Sequence, residues 1–137
     1  AIYLPAPVSG LFTTNGYTLI NPEPPPGLKN DRGLLWFARD PLSAHKIGSD
    51  ADAVLWLGER VACRVDSPRV RKSSYPDNGS SLEVYLNPDP LKYIELETLG
   101  PLKLLSPGGL ITRVNTYTLS RRVERDPERE ARKILLR

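Results

Sequence analysis

The 137-residue chain has no methionine, one cysteine and one histidine, and each scarcity closes off a class of chemistry. With Cys63 alone, no intrachain disulfide forms and no cysteine-rich zinc site exists. His45 is the sole imidazole and no carboxylates cluster at ligand spacing, so neither a metal nor a cofactor is expected. No apolar run approaches the ~20 residues that span a bilayer, and no secretory signal pattern is visible. The expectation is therefore a cytoplasmic protein without membrane contact. A nucleophile elbow is also missing, and Pro107-Gly108-Gly109 lies between strands rather than before a helix, which excludes a phosphate-cradling loop there. The lack of methionine implies that a start residue was removed or that the chain is a piece of a longer product.

Turn formers are plentiful instead. Fourteen prolines and ten glycines punctuate segments rich in Val, Leu, Thr and Tyr, the signature of many short strands. The length suits one domain with a real core. The net charge of +3 is concentrated at the end: Arg121 to Arg137 holds seven basic and four acidic residues, and the remainder sums to zero. A neutral body with a mildly basic tail, lacking interleaved aromatics to stack on bases, argues against a nucleic-acid partner.

Residues 1–30 read as an irregular, Pro/Gly-rich lead-in, with a short strand at Tyr17–Ile20 and a surface loop at Asn21–Gly27. Leu34–Ala38 is a continuous apolar run suited to a strand buried on both faces. Ala53–Leu57 and Arg60–Asp66 form a hairpin around Gly58-Glu59, and Arg69–Tyr75 is a more polar candidate for an edge strand. Pro76–Gly79 signals a turn, Ser81–Leu86 alternates, and Tyr93–Thr98 and Leu110–Leu119 complete the strands. Seven or eight strands at this spacing predict an antiparallel β-sandwich. Asp126 caps a short helix over residues 126–136, with Pro127 at its first position and Ala131, Ile134 and Leu135 at helical spacing. That helix docks on the sandwich or on a partner chain, which opens homo-oligomerisation through the helix.

Three constellations bear on chemistry. Tyr93, Glu95 and Glu97 share one face of a strand while Ile94 and Leu96 point to the core. Two carboxylates and a phenol there are either a solvated face or the floor of a polar pocket, in which one carboxylate raises the pKa of the other. His45, in the polar stretch Ser43–Asp50, is a loop histidine that serves as a general acid or sits on the surface. Cys63 lies between Val61 and Val65 on one strand face and reads as a small buried hydrophobe.

The stretch from Leu96 to Leu119, LETLGPLKLLSPGGLITRVNTYTL, resembles the C-terminal signature of the galactose mutarotase-like (aldose 1-epimerase-like) superfamily. In that family a strand with Leu-Glu-x-Gln leads to Leu-x-Pro-Gly and a final strand ending in Tyr. Tyr93–Pro101 and His45–Asp50 look closest to an uncharacterised branch of it. The resemblance implies a β-supersandwich, whole or reduced, that holds a sugar on a polar sheet face, and mutarotase-type proton transfer if the protein is an enzyme. It puts Glu97 at the general-base position, while the family's acid histidine does not carry over; His45 is the candidate acid, and Glu95, Tyr93 and Arg113 are the candidate sugar-lining residues. Two departures stand out. Leu99 replaces the usual Gln, and His45 lies only 52 residues before Glu97, outside the family's Asn-His-x-Tyr-Phe-type motif. The alternative is a non-catalytic interaction module that docks through its C-terminal helix.

Overall fold

The computed structural model describes residues 1–6 and 10–136. Its ten strands are β1 (Ile2–Pro5), β2 (Thr18–Leu19), β3 (Lys29–Asp31), β4 (Leu34–Phe37), β5 (His45–Ser49), β6 (Ala53–Leu57), β7 (Val61–Asp66), β8 (Leu82–Leu86), β9 (Ile94–Thr98) and β10 (Thr116–Arg121). A single helix, α1 (Pro127–Leu135), follows them. All pairings are antiparallel, in a six-stranded sheet ordered β10-β7-β6-β1-β4-β3 and a four-stranded sheet ordered β2-β5-β8-β9. The expected β-sandwich with a short terminal helix is what forms.

The alternating side chains explain the layers. Ile2, Leu4, Leu35, Phe37, Val54 and Val65 of the larger sheet meet Ile47, Leu82, Val84 and Leu86 of the smaller one in the main core. The reverse face of the larger sheet is also apolar: Tyr3, Leu34, Leu55, Leu57 and Ala62 lie under Ala131, Ile134 and Leu135 of α1. Coverage on both sides accounts for the unbroken Leu34–Phe37 run, whose successive residues alternate between two cores. Fully burying each such side chain is worth ~1.5–3 kcal/mol.

The helix is held electrostatically as well. The Asp126 carboxylate accepts from the backbone N–H groups of Glu128 (2.9 Å) and Arg129 (3.1 Å), the predicted cap. Glu130, only 3 % exposed, accepts from Arg122 Nε at 2.6 Å and from the Val123 N–H at 2.7 Å. Burial disfavours its charge, but these hydrogen bonds outweigh burial and hold its carboxyl below the ordinary range. The apolar stripe of α1 thus covers the chain's own sheet.

Four expectations are corrected. The lead-in is not wholly irregular, because β1 pairs with both β4 and β6 near the middle of the larger sheet. The Ser43–Asp50 stretch is not a loop, because β5 pairs with β2 and β8. Residues 69–75 form no strand. The chain turns there with Lys72 at a φ of 58°, and Arg69 instead stacks over the Tyr75 ring at 4.1 Å. The last strand begins at Thr116 rather than Leu110, because the preceding residues are tied to the ends of β7 and β9. Arg113 donates to Ser67 Oγ at 2.6 Å, and Asn115 Nδ2 to Thr98 Oγ1 at 2.8 Å. No described helix is long and apolar enough to cross a membrane.

Candidate functional site

The outward face of the smaller sheet carries the most concentrated polar chemistry among the described residues. Strand alternation puts Lys46 of β5, Glu83 and Tyr85 of β8, and Glu95 and Glu97 of β9 on this face. Registry sets Glu83 directly opposite Glu97 and Tyr85 opposite Glu95. Lys46 closes the arrangement, its Nζ standing 2.8 Å from Glu83 Oε2 and 2.9 Å from Glu97 Oε2. Burial works against the charge on Lys46, yet the hydrogen bonds to Glu83 and Glu97 prevail and hold its pKa well above that of a free lysine.

The two carboxylates differ in environment. Glu97 is about a quarter exposed, whereas Glu83 is 2 % exposed and its Oε1 has no hydrogen-bond donor. Burial raises the Glu83 carboxyl, Lys46 pulls it back, and a hydrogen bond with Asp77 adds to the rise. The cover over Glu83 is the tight turn Asp77–Gly79, closed by a hydrogen bond from Ser80 Oγ to the Asp77 carbonyl at 2.7 Å. It can sit this close because β5 has Gly48 there. A Cβ at Gly48 would collide with Ser80.

Tyr93 sits just before β9, 44 % exposed, its ring 6.0 Å from that of Tyr85. Glu95 is exposed beside them. Glu97, Glu95 and Tyr93 therefore gather on one surface, as their spacing predicts. The other two named residues do not join them. His45 is 5 % exposed and points into the opposite face of its strand, one residue from Lys46. Its Nδ1 lies 3.1 Å from the Glu23 carbonyl oxygen and its Nε2 lies 3.0 Å from Asp40 Oδ2. The Leu42 N–H and the His45 ring together hold the Asp40 carboxyl below its ordinary range. Arg113 braces Ser67 at the end of the sandwich, on the Thr98 side of β9.

Sequence reasoning missed the roles of Lys46 and Glu83. The alternation of Ser81–Leu86 does place Glu83 on the polar face, but nothing local announces that a turn covers it. Cys63 is half-buried beside the core, on the same face as Val65. It also lines a cleft of about 440 Å³ between the sheets, with Ile2, Trp56, Ile94, Leu96 and the polar Arg39, Lys92 and Tyr93. Among the described residues, no group of three or more His, Cys, Asp or Glu side chains could hold a metal ion. Comparison with protein-family models, curated proteins and solved structures returned no match to this chain.

Proposed function

We propose that the Lys46–Glu83–Glu97 face binds a carbohydrate, with Glu97 as its principal acceptor. The observation that carries this reading is the partly exposed pairing of Glu97 with Lys46 beside two tyrosine rings. Ionised carboxylates accept strong hydrogen bonds from hydroxyl groups, and an ammonium donates to them. Tyr85 and Tyr93 add apolar ring faces with polar tips, the combination that an amphipathic sugar ring requires. The resemblance of Leu96–Leu119 to galactose mutarotase-like sequences supports the same position, because it aligns Glu97 with that family's base. Binding is favoured over epimerase catalysis because His45, the expected acid, lies on the other side of the sheet. Saturation-transfer NMR with common aldoses tests the proposal, together with polarimetric mutarotation. Transfer to the wild type that vanishes in Glu97→Gln supports it, whereas no transfer to any aldose ends it.

A second reading, an interaction module, is favoured by one observation: large apolar side chains left exposed along the chain after Leu99, among them Leu104 at 103 %, Leu110 at 86 % and Leu119 at 75 %. In the version that docks through α1, Leu136 at 44 % exposure remains as an apolar contact. Light scattering before and after deletion of residues 126–137 separates that version from docking elsewhere.

A further inference from the structure

The connection between β9 and β10, residues 99–115, carries the most exposed large apolar side chain among the described residues, Leu104. It reverses at residues 106–109, where the Gly109 N–H donates to the Ser106 carbonyl at 2.8 Å and Gly108 takes a φ of 81°. Leu104 and Leu105 enter this turn, Leu110 and Ile111 leave it, and all four are exposed. The base of the connection is tied down. The Leu102 N–H donates to the Ser74 carbonyl at 2.8 Å, and Arg113 reaches Ser67. An aliphatic tip therefore projects from an anchored base at one end of the sandwich.

Cations gather around that base. Lys103 and Arg113 line a hollow with Val70 and Ile111, and Arg69, Arg71 and Lys72 line the next one, with Leu11. Against these five basic residues the two hollows hold two acidic ones, Asp50 and Asp52. Asp50 already accepts from the Leu11 N–H, and Arg71, Lys72 and Lys103 make no ion pair among the described residues. The excess at this end, +3, is as large as the net charge of the whole chain.

We propose that this end docks on an anionic lipid bilayer, with the tip entering the headgroup boundary and the basic residues meeting lipid phosphates. Apolar insertion by itself gives weak, reversible attachment, and a basic patch beside it supplies the second signal that a stable contact needs. Both stand here side by side. A protein partner fits less well. Protein interfaces are rich in aromatic side chains and poor in lysine, whereas residues 99–115 contain no aromatic residue. A convex tip also asks for a matching hollow on a folded partner, while fluid lipid moulds itself around it. No described helix is long and apolar enough to cross a membrane, and a contact at the surface needs none. Glu97 and its neighbours, on the outward side of the smaller sheet, take no part in this contact.

Flotation of the full chain with lipid vesicles tests this proposal. Co-flotation is expected with mixed phosphatidylcholine and phosphatidylserine vesicles, reversed by high salt, and not with phosphatidylcholine alone. Leu104→Asp combined with Leu110→Asp alters only exposed positions, so this variant should stay folded by circular dichroism and no longer float. Arg71→Ala with Lys103→Ala should lower the partition constant about thirtyfold, because two cations leave the lipid surface. Glu97→Gln should float as the wild type does. A wild type that floats with neither vesicle overturns the proposal and assigns the tip to a protein partner. Flotation that survives both aspartates, or that is equal on the two kinds of vesicle, overturns it too.

Discussion

Glu83 and Glu97 stand opposite each other on neighbouring strands and share one ammonium group, that of Lys46. Like charges directly opposite in a sheet repel, so the cation is what allows both carboxyl groups to occupy this face. Removing Lys46 therefore affects more than one bond. Lys46→Met leaves a buried carboxyl and its neighbour uncompensated, and breaking a buried pair costs ~3–5 kcal/mol. Lys46 is about one-quarter exposed, so the lower end, about 3 kcal/mol, is expected in urea denaturation. Adding Glu83→Gln should recover part of the loss. No recovery would mean that the cost lies in the lysine stem rather than in charge.

Two buried glutamates predict opposite slopes in the pH dependence of stability. The Glu83 carboxyl is raised above its ordinary 4.5, so its contribution is fully present below that pH and is lost as pH rises through the folded value. The Glu130 carboxyl is lowered from 4.5, so its contribution is present above that pH and is lost as pH falls through the folded value. In thermal melts taken as a function of pH, Glu83→Gln should flatten the alkaline side of the profile. Glu130→Gln should flatten the acid side. The same flattening in both variants would contradict the assignment.

His45 should matter to the fold and not to sugar contact. His45→Ala removes the partner of Asp40 Oδ2 and of the Glu23 carbonyl, each costing ~1–3 kcal/mol if left unsatisfied, while the Leu42 N–H still holds Asp40 Oδ1. Urea denaturation should show that loss, while aldose contacts seen by saturation transfer persist at a temperature where the variant is folded. Loss of those contacts with full stability would restore His45 as a site residue.

Gly48→Ala tests the cover over Glu83. The added methyl meets Ser80, and crowding of this kind costs ~1–3 kcal/mol. Faster amide exchange at Ser80 and a lower melting temperature are expected. Unchanged exchange would show that the turn yields without cost.

His45 and Glu97 show how far the residues alone could be read. Glu97 was legible because Tyr93–Thr98 alternates cleanly, and alternation fixes which side chains share a face. His45 was misplaced because Ser43–Asp50 has too little apolar alternation to mark a strand. It becomes β5 through pairing with β2 and β8, far away in sequence. Ile2–Pro5 was hidden for the same reason: its strand depends on β4 and β6 for partners. Likewise, Leu110–Asn115 has the composition of a strand, but Ser67 and Thr98 hold it elsewhere.

Local pattern by itself determined the β-rich class, the Gly58-Glu59 hairpin, the capped terminal helix, and the polar face of the Tyr93 strand. These depend on side-chain periodicity and turn chemistry within a few residues. Tertiary structure alone decided that Lys46 bridges Glu83 and Glu97, that a turn buries Glu83, and that His45 faces away. Each of those depends on which distant strands pair and in what register, and a one-residue slip in pairing would exchange the faces entirely.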